Sequence, residues 1–163
     1  MLLRALCTPA LVAAFLIATA PASAVLAAGC VDAAEGNCTT ADLRGADFSG
    51  RSLQDANFEA SKLDGARFAG ADLRRADFQV AVMPAVDLSR ANLEDATLFA
   101  AMLAKANLEG ASLRRANLTR ANLEGARLTG ADLAGAVLVG VRLGGAVWTD
   151  GRVCAPDSIG SCR

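Results

Sequence analysis

No histidine occurs anywhere in the 163 residues. That absence removes the Ser-His and Cys-His nucleophiles and the histidine general base. Charge of one sign is lacking too. The 16 Lys and Arg nearly cancel the 17 Asp and Glu, and the two signs are interleaved, so no nucleic acid or other polyelectrolyte is indicated as a partner. No phosphate-binding loop appears, because the glycines recur at a fixed spacing rather than before a helix. The apolar run Ala10–Ala20 is too short to span a bilayer comfortably. Surface carboxylates are the one resource left to an enzyme, and most of them have a structural explanation.

What is present is one five-residue phrase, A-(D/N)-L-x-x, repeated from Ala41 to Asp150 without a slip of register. The third place is apolar in all 22 phrases, from Leu43 and Phe48 to Leu143 and Trp148, and Met83 alone is neither Leu nor aromatic. Alanine fills the first place in 18 of the 22, the exceptions being Arg51, Ser61, Val86 and Val141. A period of five fits neither a helix nor a long strand. It fits a chain that turns a corner every five residues, with the first and third places inward. The Asp, Asn, Ser or Thr in the second place is a turn-former whose short side chain bonds nearby backbone. Gly in the fifth place, as at Gly45, Gly65 and Gly110, eases the corner.

These phrases resemble the pentapeptide-repeat family across about two-thirds of the chain. The resemblance implies an all-β fold, a right-handed quadrilateral parallel β-helix of about 5.5 coils, with four sides and twenty residues to a coil. It also leaves the interior filled by Leu and Phe, with no room for a cofactor. Positions twenty apart then become stacked neighbours. Asp55, Arg75, Asp95 and Arg115 form one such column of alternating sign. Gln54, Arg74, Glu94 and Arg114 form a second, and Asp47, Arg67 and Asp87 a third. Inside, Phe48 falls under Phe68 and Phe58 under Phe78.

Residues 1–24 read as a secretory signal: Arg4, the apolar run, then Pro21-Ala22-Ser23-Ala24 with a small-x-small cleavage pattern. Leu26-Ala27-Ala28-Gly29-Cys30 resembles a lipobox, so cleavage after Ala24 and a lipid anchor at Cys30 both stay open. After the signal, residues 25–40 are expected to form an N-terminal cap, 41–150 the solenoid and 151–163 a C-terminal cap. Four cysteines remain once Cys7 leaves: Cys30 and Cys38 before the repeats, Cys154 and Cys162 after them. An even number in an exported chain implies disulfides. About 5.5 coils at about 4.8 Å each make a column of roughly 26 Å, whereas a disulfide tolerates Cα separations of about 4.4–6.8 Å. Bridges between the ends are thereby excluded, leaving Cys30–Cys38 and Cys154–Cys162, each closing a loop that caps one end. A zinc site is the poorer alternative, without His and with the pairs far apart.

Two departures from the repeat bear on function. Arg51 is the one charged residue in an inward alanine place, and from the first coil it is expected to reach out through the open end. The segment Gln79–Val86 and the segment Phe99–Met102 lack the usual outward polar residues. Wrapped twenty to a coil, Val82 and Met102 share a column, with Val80 and Phe99 at the adjoining corner. Pro84, without an N–H, is expected to leave a gap in the ladder there. Contiguous outward apolar residues commonly mark a contact; a covering terminal tail, or simple tolerance, is the alternative.

The expectation is therefore an exported, non-enzymatic solenoid, periplasmic or secreted. It would bind an unknown protein partner or self-associate, with no cofactor, no catalytic or metal site, no nucleic acid and no membrane span in the mature chain. The resemblance supplies one alternative: some members resemble DNA in shape and charge and bind DNA gyrase, conferring quinolone resistance, which requires cytosolic retention. An enzyme using surface carboxylates is the other.

Overall fold

A computed structural model describes residues 36–163. The signal segment, the lipobox and Cys30 lie outside the described residues.

One hydrogen-bond scheme repeats along the chain. From the pentad of Cys38 to that of Leu128 the third N–H donates to the carbonyl of a second place nineteen residues on, as from Leu43 to Lys62 (2.8 Å). That second place returns a bond twenty-one residues back, as from Lys62 to Ala41 (2.8 Å). The first N–H of the next pentad closes the corner, as from Ala46 to Leu43 (3.0 Å). The outcome is a parallel ladder of single bridges between residues twenty apart, from Asn37↔Asn57 to Arg127↔Val147. Each side of the coil is too short for more than one bridge.

The first and third places are buried as the period implies. Leu43, Leu63, Leu93 and Leu123 are fully inaccessible, and the first-place alanines between them are buried. Phe48 stacks on Phe68 with ring centroids 4.8 Å apart, and Phe58 on Phe78 at 5.0 Å. The two stacks meet edge to face at 5.8 Å between Phe48 and Phe58, the arrangement aromatic quadrupoles favour. Ser61 replaces an inward alanine without cost, because its buried hydroxyl donates to the Phe58 carbonyl at 2.6 Å. Arg51 stands exposed.

The ladder reaches one pentad further back than the alanine pattern indicates. Asn37 pairs with Asn57 and its side chain accepts the Thr39 N–H, as the second place of a repeat does. Cys38 takes the inward third place and is buried. Residues 36–40 thus belong to the repeat rather than to a cap.

Every fifth place from Thr40 to Gly145 has positive φ, whichever residue holds it. The corner demands a left-handed residue. Where Gly is absent the chain accepts the strain, which is eased for Asp by its short polar side chain and is a genuine outlier for a β-branched one. Val80, at φ 49°, is such a case.

Beyond Asp150 the chain reverses. Residues 152–160 run back antiparallel over the last two sides, with Val153 bridged to Val147 and Ile159 to Arg142. Cys154 is joined to Cys162, Cα atoms 4.8 Å apart, and closes this cap. The cap explains Gly144: a Cβ there would lie 2.5 Å from the Pro156 carbonyl oxygen. At the other end Cys38 has no free thiol, while Cys30, its expected partner, is outside the described range.

Candidate interaction surface

The outward places fall into two kinds of wall. On the side built from 51–55, 71–75, 91–95 and 111–115, charge is paired along the stack. Arg75 grips Asp55 at 2.6 Å and Arg115 grips Asp95 at 2.7 Å, each through two nitrogens. The Asp55–Arg75–Asp95–Arg115 column is thus laced as its alternating sign implies.

The neighbouring column does not pair along itself. Gln54 and Arg74 both bond Asp72 (2.6 and 2.7 Å), Glu94 accepts from Arg115 (2.8 Å), and Arg114 reaches Asp132 (2.9 Å). A fourth-place side chain sits at a corner and, Glu94 apart, reaches a second-place side chain of its own pentad or of the next coil, so its partners are diagonal. Asp47 meets Arg67 at 3.7 Å, while Asp87 accepts from Asn107 at 3.1 Å instead. Hydrogen bonds from Arg74 hold the Asp72 carboxyl down at about 2, against the opposing effect of its burial. The Asp95 carboxyl is lowered chiefly by its bond from Arg115.

The second kind of wall is apolar at its centre. Val82 is bridged to Met102, and the Val80 N–H donates to the Phe99 carbonyl at 3.0 Å. Val80 and Met102 are 46% and 49% exposed, with Val82, Pro84 and Phe99 half-buried around them. All five residues singled out from the sequence therefore meet on adjoining sides of two successive turns. The C-terminal segment does not cover them, since its bonds are to 141–148.

Pro84 leaves no gap in the ladder. Fourth-place N–H groups take no part in it; they donate to the Asp or Asn two residues earlier, as Ser49 does to Asp47 (3.0 Å) and Ser89 to Asp87 (3.0 Å). Here the second place is Val82, which offers no acceptor. Proline removes a donor that had no side-chain acceptor waiting, and its carbonyl still accepts from Gly65 at 3.0 Å.

Sequence reasoning missed a further apolar group at the C-terminal end: Val137 (43% exposed), Val139 (68%), Val153 (65%) and Ile159 (56%). The first two were within reach, because they occupy outward places of the pentad 136–140. The last two lie on the cap, where no period guides assignment.

Among the described residues no group of three or more His, Cys, Asp or Glu side chains is placed to hold a metal, and none forms a helix long and apolar enough to cross a membrane. A shallow groove of about 420 Å³ runs along 69–70, 89–90 and 107–109 with Arg90 and Glu109 on its walls.

A parallel ladder of pentads around an apolar stack defines a solenoid repeat protein. The chain belongs to the pentapeptide-repeat family: residues 41–79, 85–115 and 111–147 match Pentapeptide repeats in 8 copies. It is similar to a pentapeptide repeat protein, Rfr23, from the cyanobacterium Cyanothece 51142, with 27% identity over 72% of this chain and 94% of that one and a TM-score of 0.70. It is also similar to HetL of Nostoc sp. strain PCC 7120, a protein involved in heterocyst differentiation regulation, with 30% identity over 73% of this chain and 66% of that one and a TM-score of 0.53. QnrB1, a plasmid-mediated fluoroquinolone resistance protein, is 27% identical over 68% of this chain and 58% of its own, with a TM-score of 0.37. No curated protein matches. Family members are known as right-handed β-helices and generally serve as structural or interaction modules.

Proposed function

We propose that this protein is an exported, non-enzymatic solenoid, four-sided and right-handed with about 5.5 coils at four sides to a coil, acting as a rigid protein-interaction module in the periplasm or outside the cell. Its contact surface is the apolar wall of Val80, Val82, Pro84, Phe99 and Met102. One observation carries this reading: Val82 and Met102 stack in an outward column beside Val80, on a solenoid whose opposite wall is laced with ion pairs. Clustered, solvent-facing apolar side chains are costly to keep unless something binds them. DNA mimicry fits less well, since it calls for a negative surface and the net charge is −1.

The double substitution Phe99→Ser, Met102→Ser tests the contact. Association, measured by sedimentation or by pull-down of an identified partner, should be lost with the melting temperature nearly unchanged. Unchanged association would end the reading; a lowered melt would mean that the wall is covered by the chain itself. Mass spectrometry of the native N-terminus tests export, and an intact Met1 would oppose it.

A further inference from the structure

We infer that the apolar wall is built to receive a second copy of this chain, the two solenoids lying side by side and antiparallel about a two-fold axis. The inference rests on reading that wall as the contact surface, and it names the occupant.

Asp42, Lys62, Val82, Met102, Asn122 and Arg142 are joined by successive bridges and occupy the outward second place of every turn on this side. A two-fold axis lying in the contact plane, perpendicular to the solenoid, maps this column onto itself upside down. Each residue then faces the one at the opposite height in the second copy. Val82 meets Met102 of the second copy and Met102 meets Val82, so the centre is apolar on apolar. Lys62 faces Asn122, and Asp42 faces Arg142, so the ends are polar and of opposite sign. The column is its own complement when reversed, as an isologous interface requires.

The flanking columns are compatible. Val80 faces Ala100 and Pro84 faces Ala104, giving small residues opposite larger ones. Asp64 faces Glu124 of the second copy, the one like-charge juxtaposition, and Lys62 stands beside it to offset the repulsion. Asp42 is already paired with Arg44 and Arg142 with Glu124, but the Asp42 and Arg142 side chains are 49% and 59% exposed and have room for a further partner.

Side-by-side parallel packing would set each residue against its own copy, placing Asp42 against Asp42 and Lys62 against Lys62, which is repulsive. The next wall fails the reversal test, for its column Asp47, Arg67, Asp87, Asn107, Arg127, Val147 puts Arg67 against Arg127. Among these the reversed match belongs to the wall that is also apolar at its centre. The wall is narrow, so the contact belongs to the weak class rather than the obligate one.

The experiment is sedimentation of the mature protein from about 10 µM to 1 mM, combined with cysteine cross-linking. Wild type should pass from monomer to dimer in that range. Met102→Lys, at an exposed site, should weaken association by about thirtyfold or more while circular dichroism shows an unaltered fold. Asp42→Arg or Arg142→Asp alone should weaken it about tenfold, and the two together should restore it. In the double variant Lys62→Cys, Asn122→Cys the two sites lie three turns apart in one chain, about 14 Å, too far to bridge within it. Oxidation should therefore yield a covalent dimer whose mapped bond joins 62 to 122. A bond formed by Lys62→Cys alone would establish the parallel arrangement and overturn the inference. A wild type that stays monomeric at the highest concentration would overturn it too. In that case loss of a different, identified partner in the Phe99→Ser, Met102→Ser variant would leave the contact-surface reading standing.

Discussion

The wall carrying Asp55, Arg75, Asp95 and Arg115 and the wall carrying Val82 and Met102 share one backbone. Their ladders have the same spacing, their inward alanines and leucines are equally buried, and their fifth places are equally left-handed. They differ in the outward places, and most sharply at mid-height, since both walls carry ion pairs toward their ends. One wall has Arg–Asp pairs at 2.6 and 2.7 Å; the other has a valine and a methionine. The difference teaches that this architecture separates its tasks by place in the pentad. The first, third and fifth places make the solenoid, and the second and fourth are free to be written for solubility or for contact. Exposed ion pairs contribute at most about 1 kcal/mol each, so the charged wall is not what holds the coil together.

The largest expected effect tests that separation at adjacent residues. Leu93 is fully buried behind the charged wall, whereas Glu94 faces out and binds Arg115 at 2.8 Å. Leu93→Ala should destabilise by about 2–5 kcal/mol through lost burial and the cavity left behind. Glu94→Ala should cost only about 0.5 kcal/mol. Similar midpoints for the two variants in urea would show that the outward wall carries stability after all.

A smaller effect compares the same corner on the two walls. Val80 and Arg75 both sit in a fifth place with positive φ (49° and 59°). Val80→Gly relieves a β-branched left-handed residue, a gain of about 1–2 kcal/mol, offset in part by the larger unfolded-state entropy of glycine. A net gain of about 0.5–1 kcal/mol is expected, together with weaker association. Arg75→Gly gives up its bonds to Asp55 for a lesser relief and should change stability by about 0.5 kcal/mol or less. Should Val80→Gly prove less stable than wild type, the strain assigned to that corner does not exist.

The sequence is most informative where period and chemistry coincide. Leu and Ala at fixed places announce the buried stack, and residues twenty apart announce the ladder, because one side of a coil is five residues long wherever it occurs. The five apolar wall residues were legible for the same reason: an outward place is known from its register alone. Legibility fails where one of the two signals is missing. The pentad 36–40 has Gly36 for alanine and Cys38 for leucine, so it hides until Asn37 is seen to pair. Pro84 was misjudged because its N–H was assigned to the ladder, when that place donates to a side chain. The charged column of Gln54 and Arg74 was misjudged because long side chains lean diagonally, which backbone spacing does not encode. The reversal after Asp150 has no period to announce it, and the requirement for Gly144 exists only once Pro156 is laid over it.

The smallest effect concerns acid, and it sets the charged wall apart from the apolar one by a different measurement. Asp72 accepts two hydrogen bonds from the Arg74 guanidinium and one from Gln54, and its carboxyl is held down at about 2. In the unfolded chain the same group titrates near its ordinary value of about 3.9. Between those two values the unfolded state binds more protons, so stability falls as pH falls. The contribution is fully present at neutral pH, begins to decline as pH nears about 5 and is gone once pH passes below about 2. Because the side chain is partly exposed, its size is about 0.5 kcal/mol. Asp72→Asn should therefore lower stability slightly at pH 7 and give a flatter decline between pH 5 and pH 2 than wild type shows. Other carboxyls held low by their partners, those of Asp55 and Asp95 among them, keep some decline in the variant. Met102→Gln, on the apolar wall, should leave the whole profile parallel to wild type. Urea melts at pH 7, 4 and 2.5 compare the three proteins. If Asp72→Asn runs parallel to wild type as well, the bonds from Arg74 carry no differential free energy, and that wall is charged for solubility alone.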